Sequence, residues 1–217
     1  MQEKKNYGII LENTLKEIKN AQKKPKLMLH ACCAPCSSYV LSYLNTFFDI
    51  TVFYYNPNIS PKEEFEFRFS EEKRLIKEMG LFENVRVIRG EYEPERFFEF
   101  AKGLENMPED SERCYRCYRL RLSETAKIAK EYDCDYFCTT LSISPHKNAQ
   151  KLNEIGKEIA DEYGVAYLYS DFKKKNGYKI SCALSKTYNL YRQNYCGCVY
   201  SKNNALPKSS SGNENVL

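Results

Sequence analysis

Short β-rich apolar runs alternate along this chain with charged, amphipathic stretches of ten to twenty residues. That alternation predicts a single α/β domain with a five-stranded, mainly parallel sheet and helices on both faces. Turn signals such as Asn56-Pro57-Asn58 close the apolar runs, as a strand-to-helix connection requires.

Residues 9–20 have apolar positions at helical spacing, and the Lys-Lys-Pro-Lys run at 23–26 ends that helix. Leu27–His30 is the first strand, followed by the loop CCAPCSS and a helix from YVLSYLNTFF at 39–48. Residues 50–55 form the second strand, 61–79 a long charged helix, and 85–88 a third strand. A loop-and-helix region through 94–100 leads to the segment 111–132, whose second half is strongly helical. The remaining expectations are a strand at 136–143, a helix at 148–163, a strand at 165–169 and a helix at 181–190. The domain is expected to span 1–200, with 201–217, rich in Ser, Asn, Gly and Lys, as a disordered tail.

In parallel sheets, ligands sit beyond the carboxyl ends of the strands. The CCAPC loop, the Asn56-Pro57-Asn58 turn, Ser144-Pro145-His146-Lys147 and Ser170-Asp171-Phe172 would all open onto one rim, which is where the site is expected.

The bulk numbers narrow the function classes. With 217 residues, 42% hydrophobic and 29% charged, the chain can bury a core. A net charge of +4 permits an anionic partner but is small for a dedicated nucleic-acid module. No run approaches the length of a membrane span, and the charged N-terminus lacks the apolar core of a signal peptide, so a cytoplasmic location is expected. Ten cysteines in a reducing compartment point to metal binding or catalysis rather than structural disulfides.

Seven of those cysteines fall in three short motifs. Cys32, Cys33 and Cys36 occupy a strand-to-helix loop, where helix amides and the helix dipole stabilise anionic sulfur. Nucleotide-binding sheets need glycine at this turn, and here there is none, which argues against ATP and so against a tRNA-thiolating enzyme. A thioredoxin-like pair would leave Cys32 unexplained. Cys114 and Cys117 lie at or before the start of a helix, flanked by Arg113, Arg116 and Arg119, which would favour thiolates. With two cysteines of the first motif they complete a four-cysteine set suited to zinc or a [4Fe–4S] cluster. Cys196 and Cys198 bracket one glycine and could close a small, reducible disulfide or offer two thiolates to a metal. Seven thiols exceed a structural zinc site, which favours iron–sulfur over a zinc RNA-binding protein. Cys134, Cys138 and Cys182 read as small buried hydrophobes.

Other polar candidates are weaker. His30 could orient or ligate, though a core role suits it better; His146 and Lys147 could donate a proton or bind an anion; Asp171 could be an oxygen ligand to a second iron. Asn58 sits on the rim as a substrate contact, and Lys173 follows a rim loop as a phosphate contact.

The set HACCAPCSS, FYYNPNI, RCYRCYRLRL, TTLSISPHKN, DFKKKNGY and YRQNYCGC resembles the QueH family of epoxyqueuosine reductases, from about Leu27 to Cys198. The resemblance implies an adenine-nucleotide α-hydrolase-like, Rossmann-like fold. It implies deoxygenation of epoxyqueuosine at the tRNA wobble position, the last step of queuosine biosynthesis, with a [4Fe–4S] cluster and no cobalamin. Cluster ligation carries over to Cys32, Cys33, Cys114 and Cys117. Cys196 and Cys198 carry over as a redox-active pair or as ligands to an additional mononuclear iron, assisted by Cys36. One departure is Glu91 before Tyr92, where the family often has aspartate, so a ligand role for Glu91 is hard to argue. On this reading Tyr191, Arg192, Gln193, Asn194 and Tyr195 line the approach of the substrate base. With no flavin or nicotinamide motif, electrons must come from an external ferredoxin- or flavodoxin-like donor.

Overall fold

The computed structural model describes residues 5–205. In chain order the elements are α1 (Tyr7–Asn20), β1 (Lys26–His30), α2 (Ala34–Leu44), β2 (Asp49–Tyr54), α3 (Lys62–Glu78), β3 (Val85–Arg89), α4 (Pro94–Ala101), α5 (Glu112–Glu131), β4 (Tyr136–Thr139), α6 (Ala149–Tyr163), β5 (Ala166–Tyr167), α7 (Gly177–Thr187) and α8 (Val199–Ala205). All five strands are parallel, in the order β3-β2-β1-β4-β5.

Local chemistry accounts for the helix ends. Asn6 and Asn148 cap α1 and α6 by accepting from Ile9 N and Lys151 N, and Gly164 closes α6 in the left-handed region at φ 74°. Strand residues alternate between two cores. Leu27 and Leu29 face α1, α2 and α3, through Leu11, Val40 and Ile76, whereas Met28 packs with Phe97, Leu122 and Leu152 of α4, α5 and α6. The fold is thus a three-layer α/β domain, as the alternation predicts.

The chain runs from β1 outward to β3, then returns to place β4 on the other side of β1. That reversal makes the gap between the ends of β1 and β4 the topological switch point, where sheets of this class leave a crevice. The CCAPC motif and Thr140 are the residues that emerge there.

Several boundaries differ from expectation, each for a local reason. Helix α2 begins at Ala34 rather than Tyr39, with Pro35 in its first turn, so Cys36 is helical. The strand expected over 136–143 stops at Thr139, whose hydroxyl accepts from Leu141 N at 3.1 Å and turns Thr140–Ile143 into a 3-10 helix. The expected strand 165–169 keeps only Ala166–Tyr167, and α7 starts at Gly177 and ends at Thr187, displaced from 181–190. Gly177 lies so close to the Phe172 carbonyl that any Cβ there would overlap it. The tail expected from Ser201 instead begins inside α8; its residues 206–217 lie outside the described residues.

Candidate metal centre and substrate cavity

Cys33 is the N-cap of α2, and the thiol sulfurs of Cys32, Cys33 and Cys36 all lie within 4.8 Å of one another. Cys32 and Cys33 sulfurs are 3.7 Å apart, and the Cys32 amide donates to the Thr140 hydroxyl at 3.4 Å, tying β1's loop to β4's across the switch point. Hydrogen bonds from Cys32 and Cys36 hold the Cys33 thiol well below its usual range, helped by Arg68, while hydrogen bonds to Cys32 and Cys33, and burial, push Cys36 well up. The trio therefore concentrates one thiolate at the amino end of a helix, where its dipole is favourable.

The other two motifs meet on the far wall. Cys114 and Cys117 sit in the first two turns of α5, and with Cys196 and Cys198 they line one small void. Burial raises the Cys117 thiol to about 11. The Cys196 thiol is pulled down by a hydrogen bond from Cys198, aided by the cations Lys147 and Arg121, while Cys198 is pushed up.

The Cys-Gly-Cys turn is clamped from three directions. Arg68 Nη1 donates to the Cys196 carbonyl at 3.3 Å, Ser60 N donates to the Gly197 carbonyl at 3.0 Å, and Cys196 N donates to the Ser201 hydroxyl at 2.9 Å. Gly197 adopts φ 114°, and a Cβ would sit 3.0 Å from both Arg68 Nη1 and Ile59 Cγ1, so only glycine serves there. Helix α8 completes the clamp, with Tyr200 against Phe97 and under the Arg113 guanidinium.

A cavity of about 840 Å³ opens over these thiols. Cys32, Cys33, Cys36 and Cys196 line it, joined by the expected Lys147, Arg192, Gln193 and Tyr195, and also by His146 and Asn194. Gln193 Oε1 is buried there without a hydrogen-bond partner among the described residues. Asn58 is buried behind the Cys-Gly-Cys turn, its amide 4.0 Å from Cys196 sulfur. Asp171 does not line the cavity; its carboxylate forms an ion pair with Lys173 at 3.1 Å. Lys173 also donates to the carbonyls of Ser142 and Lys147, so it braces two loops rather than awaiting phosphate. Tyr191 is outside the lining as well, stacked edge-on with Phe67 and bonded to Glu64.

His30 is fully buried between the Thr139 hydroxyl at 2.9 Å and the Tyr55 carbonyl at 3.0 Å, and burial beside Arg121 lowers its pKa to about 3. It is a neutral strut linking three strand ends. Cys138 is buried, its thiol donating to the Leu168 carbonyl at 3.2 Å, whereas Cys134 and Cys182 are only half-buried, because one lies in the turn before β4 and the other on an outer face of α7.

The cationic residues that matter most were not the expected ones. Arg116 and Arg119 point away to Glu112 and Glu158, and Arg113 caps carbonyls of the 104–107 loop while edging the small void. Arg68 and Arg121 face the thiols instead. Arg121 follows Cys117 by four residues and so shares its helix face, a signal the spacing carried; Arg68 came from a helix that showed nothing but charge.

The fold and the site together define an α/β protein that gathers thiols from distant motifs, at the crevice where its class of sheet holds ligands. A sequence model described as epoxyqueuosine reductase QueH matches residues 27–204. The chain is 41% identical to the epoxyqueuosine reductase QueH of Staphylococcus epidermidis, over 91% of this chain and 85% of that one. It is 40% identical to that of Streptococcus pyogenes serotype M1 (91% of this chain, 78% of the other) and 38% to that of Thermotoga maritima (81% and 89%). This chain belongs to the epoxyqueuosine reductase QueH family. Among the described residues no helix is long and apolar enough to cross a membrane.

Proposed function

We propose that this oxidoreductase removes the epoxide oxygen of epoxyqueuosine in tRNA, yielding queuosine, and that it works in the cytoplasm with an external one-electron donor. The observation that supports this reading is that three sequence-distant cysteine motifs line a cavity and the small void behind it, with Cys196 in both, in a chain of the QueH family. Deoxygenation of an epoxide to an alkene consumes two electrons and two protons and releases water.

The donors suit a sulfur-bound metal group: Cys32, Cys33 and Cys36 bring three thiols within 4.8 Å of one another, Cys114 and Cys117 line the void on the other side of Arg121, and Arg121 Nη2 is buried with no partner among the described residues. Cys32, Cys33, Cys114 and Cys117 are proposed to hold a [4Fe–4S] cluster, which when bound would supply electrons one at a time. Cys36, with Cys196 and Cys198, is left for an additional iron or for thiol chemistry of its own. Oxidising the Cys196–Cys198 dithiol to a disulfide releases two electrons and two protons, which balances the deoxygenation; the external donor then restores the thiols. Arg68 and Asn58 keep that dithiol at the cavity wall. Arg192, Gln193 and Tyr195 are proposed to receive the flipped-out wobble base, by stacking and hydrogen bonds. Lys147, buried beside Cys196, is placed to hold the departing oxygen's negative charge.

The test is anaerobic protein, quantified for iron and acid-labile sulfide, incubated with reductant and an anticodon stem–loop carrying epoxyqueuosine. Loss of one oxygen from the nucleoside, read by mass spectrometry, is expected. Intact epoxyqueuosine with fully loaded protein would sink the proposal.

A further inference from the structure

Arg121 is 1% exposed, and its guanidinium is only partly satisfied. Nε donates to the Cys117 carbonyl at 3.3 Å, Nη1 reaches the Asn56 amide oxygen at 3.5 Å, and Nη2 has no partner among the described residues. Both partners are neutral, and no carboxylate among the described residues pairs with it. Cysteines line the spaces on both of its sides instead: Cys32 and Cys196 in the large cavity, Cys117 and Cys196 in the small void. Among the described residues only Arg121, Lys147 and Cys196 line both the large cavity and the small void behind it, so the guanidinium stands in the wall between the two groups of thiols. Lys147 has a carboxylate, Glu109, 3.9 Å away; Arg121 has none among the described residues.

A buried charge without a counter-charge is costly, and the structure tolerates one in the wall between two spaces lined by thiols of all three motifs. We propose that Arg121 is the buried counter-charge of the thiolate-held iron–sulfur group, a positioning residue that sets how readily that group accepts an electron. The inference rests on the iron–sulfur reading above. A fixed positive charge favours the state that holds one electron more. The electron arrives from the external donor, no bond is made or broken, and no proton moves. Removing the charge must therefore make the group harder to reduce.

The test is a redox titration of anaerobically purified, iron-loaded wild-type, Arg121→Lys and Arg121→Gln proteins, followed by visible absorbance, with thermal melting of the iron-free forms alongside. In Arg121→Gln the reduction equilibrium should become about tenfold or more less favourable, the size of effect a neighbouring charge exerts on a buried ionisable group. For one electron a tenfold change is a potential lower by about 59 mV. Arg121→Lys, which keeps the charge, should stay close to wild type. Iron-free Arg121→Gln should melt no lower than iron-free wild type, whereas a purely structural arginine would lower the melt and leave the potential alone. Should Arg121→Gln fail to load iron, Arg121→Met must show the lowered potential. Wild-type protein without iron and sulfide would overturn the reading beneath; a wild-type cluster whose potential is unchanged in the Gln and Met variants would overturn this inference alone.

Discussion

Arg68 Nη1 donates to the carbonyl of Cys196 at 3.3 Å, joining α3 to the Cys-Gly-Cys turn across 128 residues of sequence. The same guanidinium pairs with Glu64 at 2.7 Å and lies 5.3 Å from the Tyr195 ring centroid. One buried side chain thus sets the position of a cysteine, of the aromatic before it, and of the glycine that accommodates both.

Arg68→Met should therefore damage the turn more than the fold. The lost bonds to a backbone carbonyl and to a half-shielded carboxylate are worth about 1–3 kcal/mol, to be read from urea unfolding. Turnover should fall, though less than in the Cys196 variant that removes the thiol itself, with iron content retained. A variant that is destabilised but fully active would show that the clamp is not needed for chemistry.

The cysteines divide into two roles that mutagenesis can separate. Cys114→Ala and Cys117→Ala should lose iron and sulfide, and also stability, because metal-binding free energy is folding free energy in such sites. Cys196→Ser and Cys198→Ser should keep the brown colour and lose deoxygenation. Loss of the cluster from either serine variant would redraw the ligand set.

Glu72 gives a pH signature independent of turnover. Its carboxyl is fully buried with neither oxygen partnered among the described residues, and burial lifts its pKa to about 8 from an ordinary 4.5. A folded-state value raised above the unfolded one means the contribution is intact below about pH 4.5 and is lost as the pH climbs through about 8. Wild-type iron-free protein should lose stability on the order of 2–4 kcal/mol across that window from this group. Glu72→Gln should flatten the decline, as measured by denaturant midpoints at pH 5, 7 and 9; equal slopes in both proteins would refute the assignment.

Substrate capture should be local. The net charge is only +4, so tRNA affinity should rest on a few phosphate contacts and weaken only shallowly with salt. Arg192, which lines the cavity and is anchored by its bond to Ser185 at 3.0 Å, should matter far more than Lys157, which pairs with Asp161 on an outer helix. Arg192→Ala is expected to raise KM by roughly tenfold, the worth of one charged contact, and Lys157→Ala to leave it unchanged. If an isolated stem–loop fails while intact tRNA reacts, the grip must extend beyond the anticodon.

Periodicity and the cysteine motifs were sufficient to read the parallel α/β architecture, the rim on which the loops gather, and which thiols line the cavity and the void behind it. These features are local: strand and helix periods and two-residue gaps between thiols are all written in neighbouring residues. The elements at the edges were less legible. The two-residue β5, the 3-10 turn at Thr140 and the short α8 depend on a hydroxyl, a carbonyl or an aromatic ring reached through space. Which charges face the sulfur was only partly written in the sequence. Arg116 and Arg119 lie beside the cysteines in sequence yet turn to surface glutamates, because consecutive helical residues point about 100° apart; Arg121, one turn after Cys117, shares its helix face, whereas Arg68 is brought to the thiols from another helix by tertiary packing alone. Asp171 was readable as a rim-loop residue, but only the fold shows that it lies outside the cavity lining. Sequence spacing determines which residues share a helix face, while the packing of distant elements determines what that face meets.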